Sequence, residues 1–490
     1  MSIEGWEKLL DQFRTPLFDA VKYHVKRNAV PLQIPGHKHG NGLVEYKEFV
    51  GENVLRMDLN QTRGIDIIWD PTSVITEAEK LLAETFQASA AYFLINGTTS
   101  GVQTMIMSTC KPGDQIILPR NVHKSIFNAL ILSGAKPVYV LPEISSELGI
   151  VLSITESNLR IVVEKNPTAK AVLAINPSYY GVTSNLKSIV EAAHHNGMPV
   201  LVDEAHGTHM HFHDHFPVSA MEAGADISAV SLHKTGGSMT QSSALLIGNS
   251  GIDPLYIKQV LNLAYTTSPS YILLCSLDVA RKQLATRGRQ ILDQLLELLK
   301  WSREEINKIG GYFAPDKVFF EESGNFSFDE TKLLINVRKI GLTGYEVEEM
   351  LARDYNILIE LADMYNILAI TGLGERKEYL EALINALTDI ARHTDRSEIK
   401  KIDAIQFNPE IVMQPREAFY SPKRSVPLEQ CAGEISGEMI MVYPPGIPLV
   451  SMGEVITHEI IEYVKQLKLE KCTLQGTSDP CVNFVMVLDR

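Results

Sequence analysis

The chain has 490 residues, of which 45% are hydrophobic and 21% are charged, a composition typical of a globular protein with two or three domains. Its formal net charge of −14 disfavours nucleic acids and anionic membrane surfaces, so neither is an expected partner. The five cysteines form no CxxC pair, which favours a reducing cytoplasm over a disulfide framework or a zinc site. Neither a membrane span nor the apolar core of a signal peptide is predicted.

After an N-terminal arm over residues 1–44, short apolar segments alternate with longer amphipathic ones, which is the pattern of βαβ units. The predicted strands are 91–95, 115–119, 137–141, 171–175, 199–203 and 227–231, and the predicted helices are 100–110, 123–133, 155–165 and 186–196. Most of these strands are apolar throughout and rich in Val and Ile, which indicates burial on both faces of a sheet. We therefore predict an α/β fold with a doubly wound, mostly parallel sheet over residues 45–309.

The second half of the chain predicts smaller units. Leu and Ile recur at heptad-like spacing over residues 271–309, which favours one long helix packed along the first domain, with a coiled coil as the alternative. Residues 310–400 predict a small α+β domain with strands at 332–340, 356–363 and 365–370 and helices at 344–355 and 377–391. Residues 401–490 predict a C-terminal lobe.

The sequence SLHKTGG places Lys234 just after a predicted strand, between hydroxyl and imidazole groups and before two glycines. A lysine in this setting suits a Schiff base with an aldehyde cofactor, although a solvated lysine in a polar loop is the simpler alternative. Upstream, Asp203 ends another predicted strand, where open α/β sheets bind ligands. Such a carboxylate can hold a proton on the ring nitrogen of pyridoxal phosphate, or it can be an ordinary helix cap.

The sequence NGTTSG lies between a predicted strand and a predicted helix. The unpaired N–H groups of a helix N-terminus bind phosphate, although Thr and Ser at this position are also ordinary helix caps. Four residues occupy this predicted phosphate site: Gly97, Thr98, Thr99 and Ser100. The three elements together fit one cofactor site better than three coincidences.

Eight motifs resemble those of the bacterial ornithine/lysine/arginine decarboxylases, which have fold type I of the pyridoxal-phosphate enzymes. They are NGTTSG, RNVHKS, INPSYYG, VDEAHG, SLHKTGG, TTSPSY, PREAFY and YPPGIPL, and they extend from residue 96 to residue 449. The chain is most similar to the short biosynthetic arginine decarboxylases of Gram-positive bacteria. The resemblance implies a homodimer or a larger homo-oligomer with shared active sites, and pyridoxal 5'-phosphate as cofactor.

The resemblance also implies residue roles. Lys234 would be the Schiff-base lysine, Asp203 the partner of the pyridine nitrogen, and His123 the imidazole stacked on the ring. The other implied cofactor contacts are Thr98, Thr99, Ser231 and His233 to the phosphate, Ala205 on the second ring face with His206 beside it, and Thr266 to the phosphate of a neighbouring subunit. No metal is expected.

The implied reaction is the decarboxylation of L-arginine to agmatine in polyamine biosynthesis, with lysine or ornithine as alternative substrates. The proton that replaces carbon dioxide would come from Lys234 or His233, and the sequence leaves both open. A fold-type-I aminotransferase or lyase is a second possibility, for which an arginine such as Arg338, Arg353 or Arg376 would bind the substrate carboxylate. A pseudoenzyme is the third, and the intact lysine argues against it.

Some motifs leave the chemistry open. Many family members have LDDLH where this chain has IDIIW at residues 65–69, which keeps Asp66 but leaves the substrate preference open. The alternating histidines from His209 to His215 would share a strand face, but a metal site there is not favoured. Glu454 is either a partner for the distal cation of the substrate or a surface acid. An arm containing His37 and Lys38 could reach an active site, or form a simple turn.

Overall fold

A computed structural model of the chain gives the fold. It describes residues 10–249, 251–324, 326–394, 397–399, 407–442, 447–470 and 472–489. Among these residues, no helix combines the length and the apolar character that crossing a membrane requires.

Helices and strands alternate through the first 309 residues. The N-terminal helices are α1 (Pro16–Lys26), α2 (Val44–Val50) and α3 (Glu52–Met57). They are followed by α4 (Val74–Thr85), β1 (Ala90–Leu94), α5 (Gly97–Thr109), β2 (Gln115–Pro119), α6 (Lys124–Ser133), β3 (Lys136–Val140), β4 (Ile144–Ser145), β5 (Ile150–Val151) and α7 (Glu156–Lys165). The remainder is β6 (Ala171–Ile175), β7 (Val182–Thr183), α8 (Leu186–His195), β8 (Val200–Glu204), β9 (Ile227–Val230), α9 (Leu232–Thr235), β10 (Ser243–Ile247), α10 (Pro254–Asn262) and α11 (Tyr271–Ile309).

The central sheet has seven strands in the order β1-β10-β9-β8-β6-β2-β3. Five of them, β9, β8, β6, β2 and β3, are parallel, whereas β10 runs antiparallel to both of its neighbours. This mostly parallel sheet with helices between its strands confirms the predicted α/β class. The six predicted strands are each present within one residue of their predicted ends. Strand β10 was not predicted from the sequence; it follows α9 through a loop, without an intervening long helix.

Helix α5 begins at Gly97, three residues before its predicted start. Gly97 has a φ of +71°, a left-handed conformation that glycine adopts without a steric penalty. One turn later, a Cβ on Gly101 would lie 2.7 Å from Leu94 Cδ1 and 3.0 Å from Ala229 Cβ. Glycine at this position therefore lets α5 pack directly on the sheet, which fixes where the helix begins.

The predicted long helix is α11, which continues without a break through Gly288. It packs against α1 and α4 near its start and against α14 (Lys377–Arg392) near its end, so the coiled-coil alternative is wrong. A Cβ on Gly288 would lie 3.3 Å from Phe212 Cβ, so glycine allows a close approach to the 3-10 turn Met210–Phe212.

The region after α11 contains α12 (Lys317–Glu322), β11 (Ser327–Phe328), β12 (Lys332–Asn336), α13 (Gly344–Tyr355), β13 (Leu361–Ala362), β14 (Asn366–Ile370) and α14. Its sheet has the antiparallel order β12-β14-β13. The first predicted strand ends at Asn336 and the second is reduced to two residues, because a 3-10 turn and a loop replace the rest. Strand β11 pairs with β7, which joins this region to the first.

The last region contains α15 (Pro415–Tyr420), β15 (Lys423–Pro427), β16 (Ile440–Val442), β17 (Ile447–Val450), α16 (His458–Leu469), β18 (Leu474–Gln475) and β19 (Phe484–Leu488). It forms two small sheets, β15-β19 and β17-β16-β18, with a common apolar core. Helix α15 packs on α6, and Arg416 donates to the carbonyl of Leu132 at 3.1 Å. Residues 443–446 of the YPPGIPL motif lie outside the described residues.

Candidate active site

A cavity of about 390 Å³ lies at the edge of the central sheet where its parallel strands end. Ten of the twelve predicted site residues line it: Gly97, Thr98, Thr99, His123, Asp203, Ala205, His206, Ser231, His233 and Lys234. They come together because β1, β2, β8 and β9 all have their carboxyl ends at this edge. The sequence thus predicted ten of the lining residues, with Lys234, Asp203 and the start of α5 predicted from their positions after strands and the others from the family resemblance.

One end of the cavity is formed by the N-terminus of α5. The first N–H groups of a helix have no partner within the helix, and the N-cap residue Asn96 makes no side-chain cap here. The hydroxyl of Thr98 is hydrogen-bonded to Ser231 and donates to Ser243 Oγ at 3.0 Å. This end of the cavity thus presents N–H groups, hydroxyls and the positive end of a helix dipole, which together favour an anion.

Lys234 projects into the cavity from α9. Its Nζ lies 2.8 Å from His206 Nε2 and 6.0 Å from the ring centre of Tyr179. Burial within the cavity walls lowers the pKa of Lys234 below its ordinary value, and nearby Asp203 and Glu360 only partly oppose this effect. A larger fraction of Lys234 is therefore the neutral amine, which is the nucleophilic form.

Asp203 lies in β8, on the wall that also carries Lys234. It is buried, and its carboxylate accepts a hydrogen bond from the N–H of Ala205 at 3.2 Å. Neighbouring Glu204 points to the other side of the strand and accepts from the N–H of Ala220 and the hydroxyl of Ser228. Burial raises the pKa of Glu204 to about 8, so the adjacent acid is mostly protonated at neutral pH.

Three histidines lie around the cavity. His206 is packed on the ring of Tyr179, with 4.6 Å between ring centres, and its burial and the charge of Lys234 hold its pKa well below the ordinary value. The pKa of His123 is also lowered by partial burial of its ring, although the residue as a whole is exposed. His233 is partly buried, which lowers its pKa, and its Nδ1 lies 2.9 Å from the carbonyl of Ser242.

Two predicted site residues do not line the cavity. Ser100 is buried in the first turn of α5 and donates to the carbonyl of Gly97 at 2.8 Å, so its hydroxyl serves its own helix. Thr266 is partly exposed in the loop before α11, where its hydroxyl lies 3.4 Å from that of Ser268. A contact of Thr266 with a neighbouring subunit stays a prediction.

The structure adds wall residues that the sequence analysis missed. The most informative are Glu360, Gln241 and Asn121. Glu360 comes from the region after α11 and accepts a hydrogen bond from the hydroxyl of Tyr179. Nothing in the local sequence NILIELAD distinguishes it from a surface acid, because its place at the cavity depends on how two regions of the chain pack.

Both alternatives for Glu454, a partner for the substrate cation and a surface acid, are wrong. Its carboxylate is buried and binds both Nη atoms of Arg120, with 2.7 Å between Oε2 and Nη2. It also accepts the N–H of Ser451 at 2.7 Å. Glu454 is therefore already paired with Arg120, and this pair links the C-terminal region to the segment that leads to His123.

The predicted strand of alternating histidines is also wrong, because a 3-10 turn occupies Met210–Phe212. Their ring nitrogens have separate partners: His209 bonds to Asp329, His211 to Ser219, His213 to Asp293 and His215 to Glu330. Within the described part of the chain, no cluster of three or more His, Cys, Asp or Glu side chains could hold a metal ion.

The segment 65–69 does not line the cavity of its own chain. Asp66 is buried and accepts the N–H groups of Ser73 and Ile75 at 2.7 and 2.9 Å, so it stabilises the start of α4. The N-terminal arm does not line the cavity either, since His37 Nε2 lies 3.1 Å from Asp58. Within one chain, Asp66 and His37 make structural hydrogen bonds away from the cavity. Any contact of this segment or the arm with another subunit stays a prediction.

Comparison with known proteins agrees with this geometry. The model of the Orn/Lys/Arg decarboxylase major domain matches residues 15–379, and that of the Orn/Lys/Arg decarboxylase C-terminal domain matches residues 399–476. The chain belongs to the Orn/Lys/Arg decarboxylase family.

Curated relatives and a solved structure extend this result. The chain is similar to the arginine decarboxylase of Bacillus subtilis (strain 168), with 44% identity over 98% of this chain and 99% of the relative. It is 42% identical to the arginine decarboxylase of Bacillus anthracis over 98% of both chains. The crystal structure of a Francisella novicida lysine decarboxylase superimposes with a TM-score of 0.85 at 20% identity, covering 97% of this chain and 81% of that one. This likeness confirms the predicted fold type.

Proposed function

We propose that this protein is a pyridoxal-phosphate-dependent carboxy-lyase that converts L-arginine to agmatine and carbon dioxide, in polyamine biosynthesis. The observation that carries the choice of arginine is the 44% identity, over almost the whole chain, to an arginine decarboxylase. The solved lysine decarboxylase is only 20% identical, so lysine is the second candidate substrate and ornithine the third.

The cavity fits pyridoxal phosphate by the chemistry of its walls. It offers a primary amine at Lys234, a carboxylate at Asp203 and an anion site at the N-terminus of α5. The buried Oδ1 of Asn121, on the same wall, has no hydrogen-bond partner among the described residues, which leaves an acceptor for a bound molecule. His123 and Ala205 are available to pack on the two faces of an aromatic ring.

Lys234 and Asp203 have the central roles in this proposal. Lys234 would hold the cofactor through its Nζ. Asp203 would hold a proton on the pyridine nitrogen. When bound, pyridoxal phosphate supplies an electron-withdrawing ring that accepts the electrons left at Cα as carbon dioxide departs. Lys234 is the favoured proton donor to Cα, because His206 Nε2 lies within hydrogen-bond distance of its Nζ, whereas Nδ1 of His233 is directed to Ser242.

Glu360 supplies the second negative charge of the cavity wall. Asp203 and Glu360 are the only carboxylates among the described residues that line it. With Asp203 committed to the ring nitrogen, Glu360 remains to stabilise the cationic substrate. Tyr179 donates to Glu360 and therefore fixes its orientation.

We also infer that the active enzyme contains two or more copies of the chain. The N-terminal arm exposes apolar side chains that a second copy could bury, among them Leu32 and Phe49 at 91% and 90% exposure. Thr266 lies outside the cavity of its own chain, as expected of a residue that completes a partner's site. A cytoplasmic location stays a prediction.

A direct assay tests the proposal. The purified protein, supplied with pyridoxal phosphate, is given arginine, lysine and ornithine separately, and the amine products and carbon dioxide are quantified. We expect agmatine from arginine at the highest kcat/KM. If cadaverine forms from lysine faster than agmatine forms from arginine, the preferred substrate is lysine. If no amine forms from any of the three, the protein is not a decarboxylase of these amino acids.

The same assay separates the aminotransferase alternative. An aminotransferase would consume a keto acid and would bind the substrate carboxylate with an arginine. None of the described residues that line the cavity is an arginine, and Arg338 and Arg353 pair instead with Glu398 and Asp354. Amine formation without a keto acid is therefore the expected result.

A further inference from the structure

A second lysine lies directly behind the wall of the cavity. Lys332 is the first residue of β12, and its side chain is completely buried. Its Nζ donates to Asp329 Oδ2 at 2.7 Å, to Thr331 Oγ1 at 3.1 Å and to the carbonyl of His206 at 3.3 Å. An ammonium group has three hydrogens, so all of its donors are used and its position is fixed.

The partner of this lysine is equally constrained. The Oδ1 atom of Asp329 lies 2.9 Å from His209 Nε2 and accepts the hydroxyl and the N–H of Thr331 at 2.7 and 3.0 Å. Burial alone would raise the pKa of the Asp329 carboxyl, but His209 and Lys332 hold it well below its usual range. Asp329 therefore remains a carboxylate, 2.7 Å from Nζ of Lys332 in a fully buried ion pair.

His206 connects this buried pair to the active-site lysine. Its carbonyl is bound by Lys332, while its ring nitrogen lies 2.8 Å from Nζ of Lys234. We propose that Lys332 and Asp329 are positioning residues that fix His206 against Lys234 and set the electrostatic field in which Lys234 reacts. This inference rests on the proposed function only in requiring that Lys234 binds the cofactor.

The signs of the two charges give the proposal a specific consequence. The charged groups that influence the pKa of Lys234 are Asp203 and Glu360, which raise it, and Lys332, which lowers it. After burial, which is the largest influence, the positive charge of Lys332 contributes to lowering the pKa of Lys234. Asp329 has the opposite charge, so loss of Lys332 and loss of Asp329 should shift the protonation of Lys234 in opposite directions.

The experiment compares Lys332→Met, Asp329→Asn and the double variant. Cofactor-free full-length protein is mixed with pyridoxal phosphate at a series of pH values, and the rate at which Lys234 binds it is followed by absorbance. Only the neutral amine attacks the aldehyde, so the pH midpoint of this rate reports the protonation of Lys234. Borohydride reduction followed by peptide mass analysis confirms that the modified residue is Lys234.

We expect Lys332→Met to raise the midpoint by roughly a few tenths of a pH unit, because Lys332 influences the pKa of Lys234 less than burial, Asp203 and Glu360 do, and we expect Asp329→Asn to lower it. The double variant should return close to the wild-type midpoint, because both charges are then absent. Lys187→Met, which removes an exposed positive charge on α8 far from this network in the sequence, is the matched control and should leave the midpoint unchanged.

The outcomes separate this inference from the proposed function. Shifts of both single variants in the same direction, or no shift, would overturn the positioning role. If Lys332→Met does not fold, Asp329→Asn still decides the matter, because a raised or unchanged midpoint contradicts the proposal. Wild-type protein that forms no reducible bond between Lys234 and pyridoxal phosphate would instead reject the proposed function.

Discussion

The cavity and the junction between α6 and the C-terminal region both bury charged groups, but they pair them differently. At the junction, both Nη atoms of Arg120 meet the carboxylate of Glu454, and these side chains are only 3% and 1% exposed. In the cavity, by contrast, Asp203 has no cation within 4 Å among the described residues. Charges that are paired within the protein hold structure together, whereas incompletely paired charges remain available to a ligand.

Among changes in the cavity, Lys234→Ala is expected to reduce activity most. Because this residue is the only amine that reaches the cavity from α9, we expect kcat to fall by about four orders of magnitude, equivalent to ~5.5 kcal/mol. The melting temperature should change little. Product formation is measured by amine analysis, with Lys187→Ala on the exposed face of α8 as the matched control. Retention of even a tenth of the activity would contradict the assignment.

The junction should respond in the opposite way. Glu454→Gln leaves the guanidinium of Arg120 buried without its counter-charge, so we expect a loss of about 3–5 kcal/mol in stability. The reduction in kcat at a temperature where the variant remains folded should be less than about tenfold. Denaturant unfolding and initial rates measure the two effects. Glu434→Gln is the control, since its pairing with Arg424 is partly exposed and worth less than about 1 kcal/mol.

Asp203→Asn removes the cavity charge while keeping the side-chain shape. We expect kcat to fall by about two orders of magnitude, equivalent to roughly 3 kcal/mol, because the ring nitrogen loses the anion that keeps it protonated. The comparison is made at saturating arginine. An effect confined to KM would show that Asp203 binds substrate and does not act on the cofactor ring.

Glu204 is the next residue along the same strand, and we expect it to make the stability of the fold depend on pH. Its pKa is raised from 4.5 to about 8 in the folded protein, so the folded state keeps a proton that the unfolded chain releases. Its contribution to stability is therefore complete below pH 4.5 and is lost as pH rises to about 8. In Glu204→Gln, we expect this part of the pH dependence to disappear. Unfolding curves for both proteins across this range, if parallel, would contradict the raised pKa.

The smallest expected change comes from Thr266→Ala, with an activity loss of about tenfold from one missing phosphate contact. If Thr266 completes a neighbour's site, activity should recover when this variant is dissociated and reassociated with inactive Lys234→Ala protein. The recovered site has Lys234 from one chain and Thr266 from the other. Native mass spectrometry confirms that heterodimers form, and heterodimers without a gain in activity would exclude a shared site.

The sequence predicted six strands of the sheet and ten of the residues that line the cavity, because both depend on local patterns. Apolar runs located six strands, and residues just after strand ends, such as Lys234, share one edge of a parallel sheet. Glu360 and Glu454 could not be assigned this way, since the role of each is decided by packing between distant segments. Glu454, for which the sequence left a substrate contact and a surface acid as alternatives, is a buried structural partner of Arg120.

The ion pair at the junction also bears on the order in which the protein is completed during synthesis. Arg120 lies three residues before His123, yet its counter-charge is 334 residues further along the chain. On the ribosome, the central sheet can form long before Glu454 emerges, so Arg120 stays without its counter-charge until then. The segment that carries His123 therefore gains the support of this ion pair only after synthesis has passed Glu454.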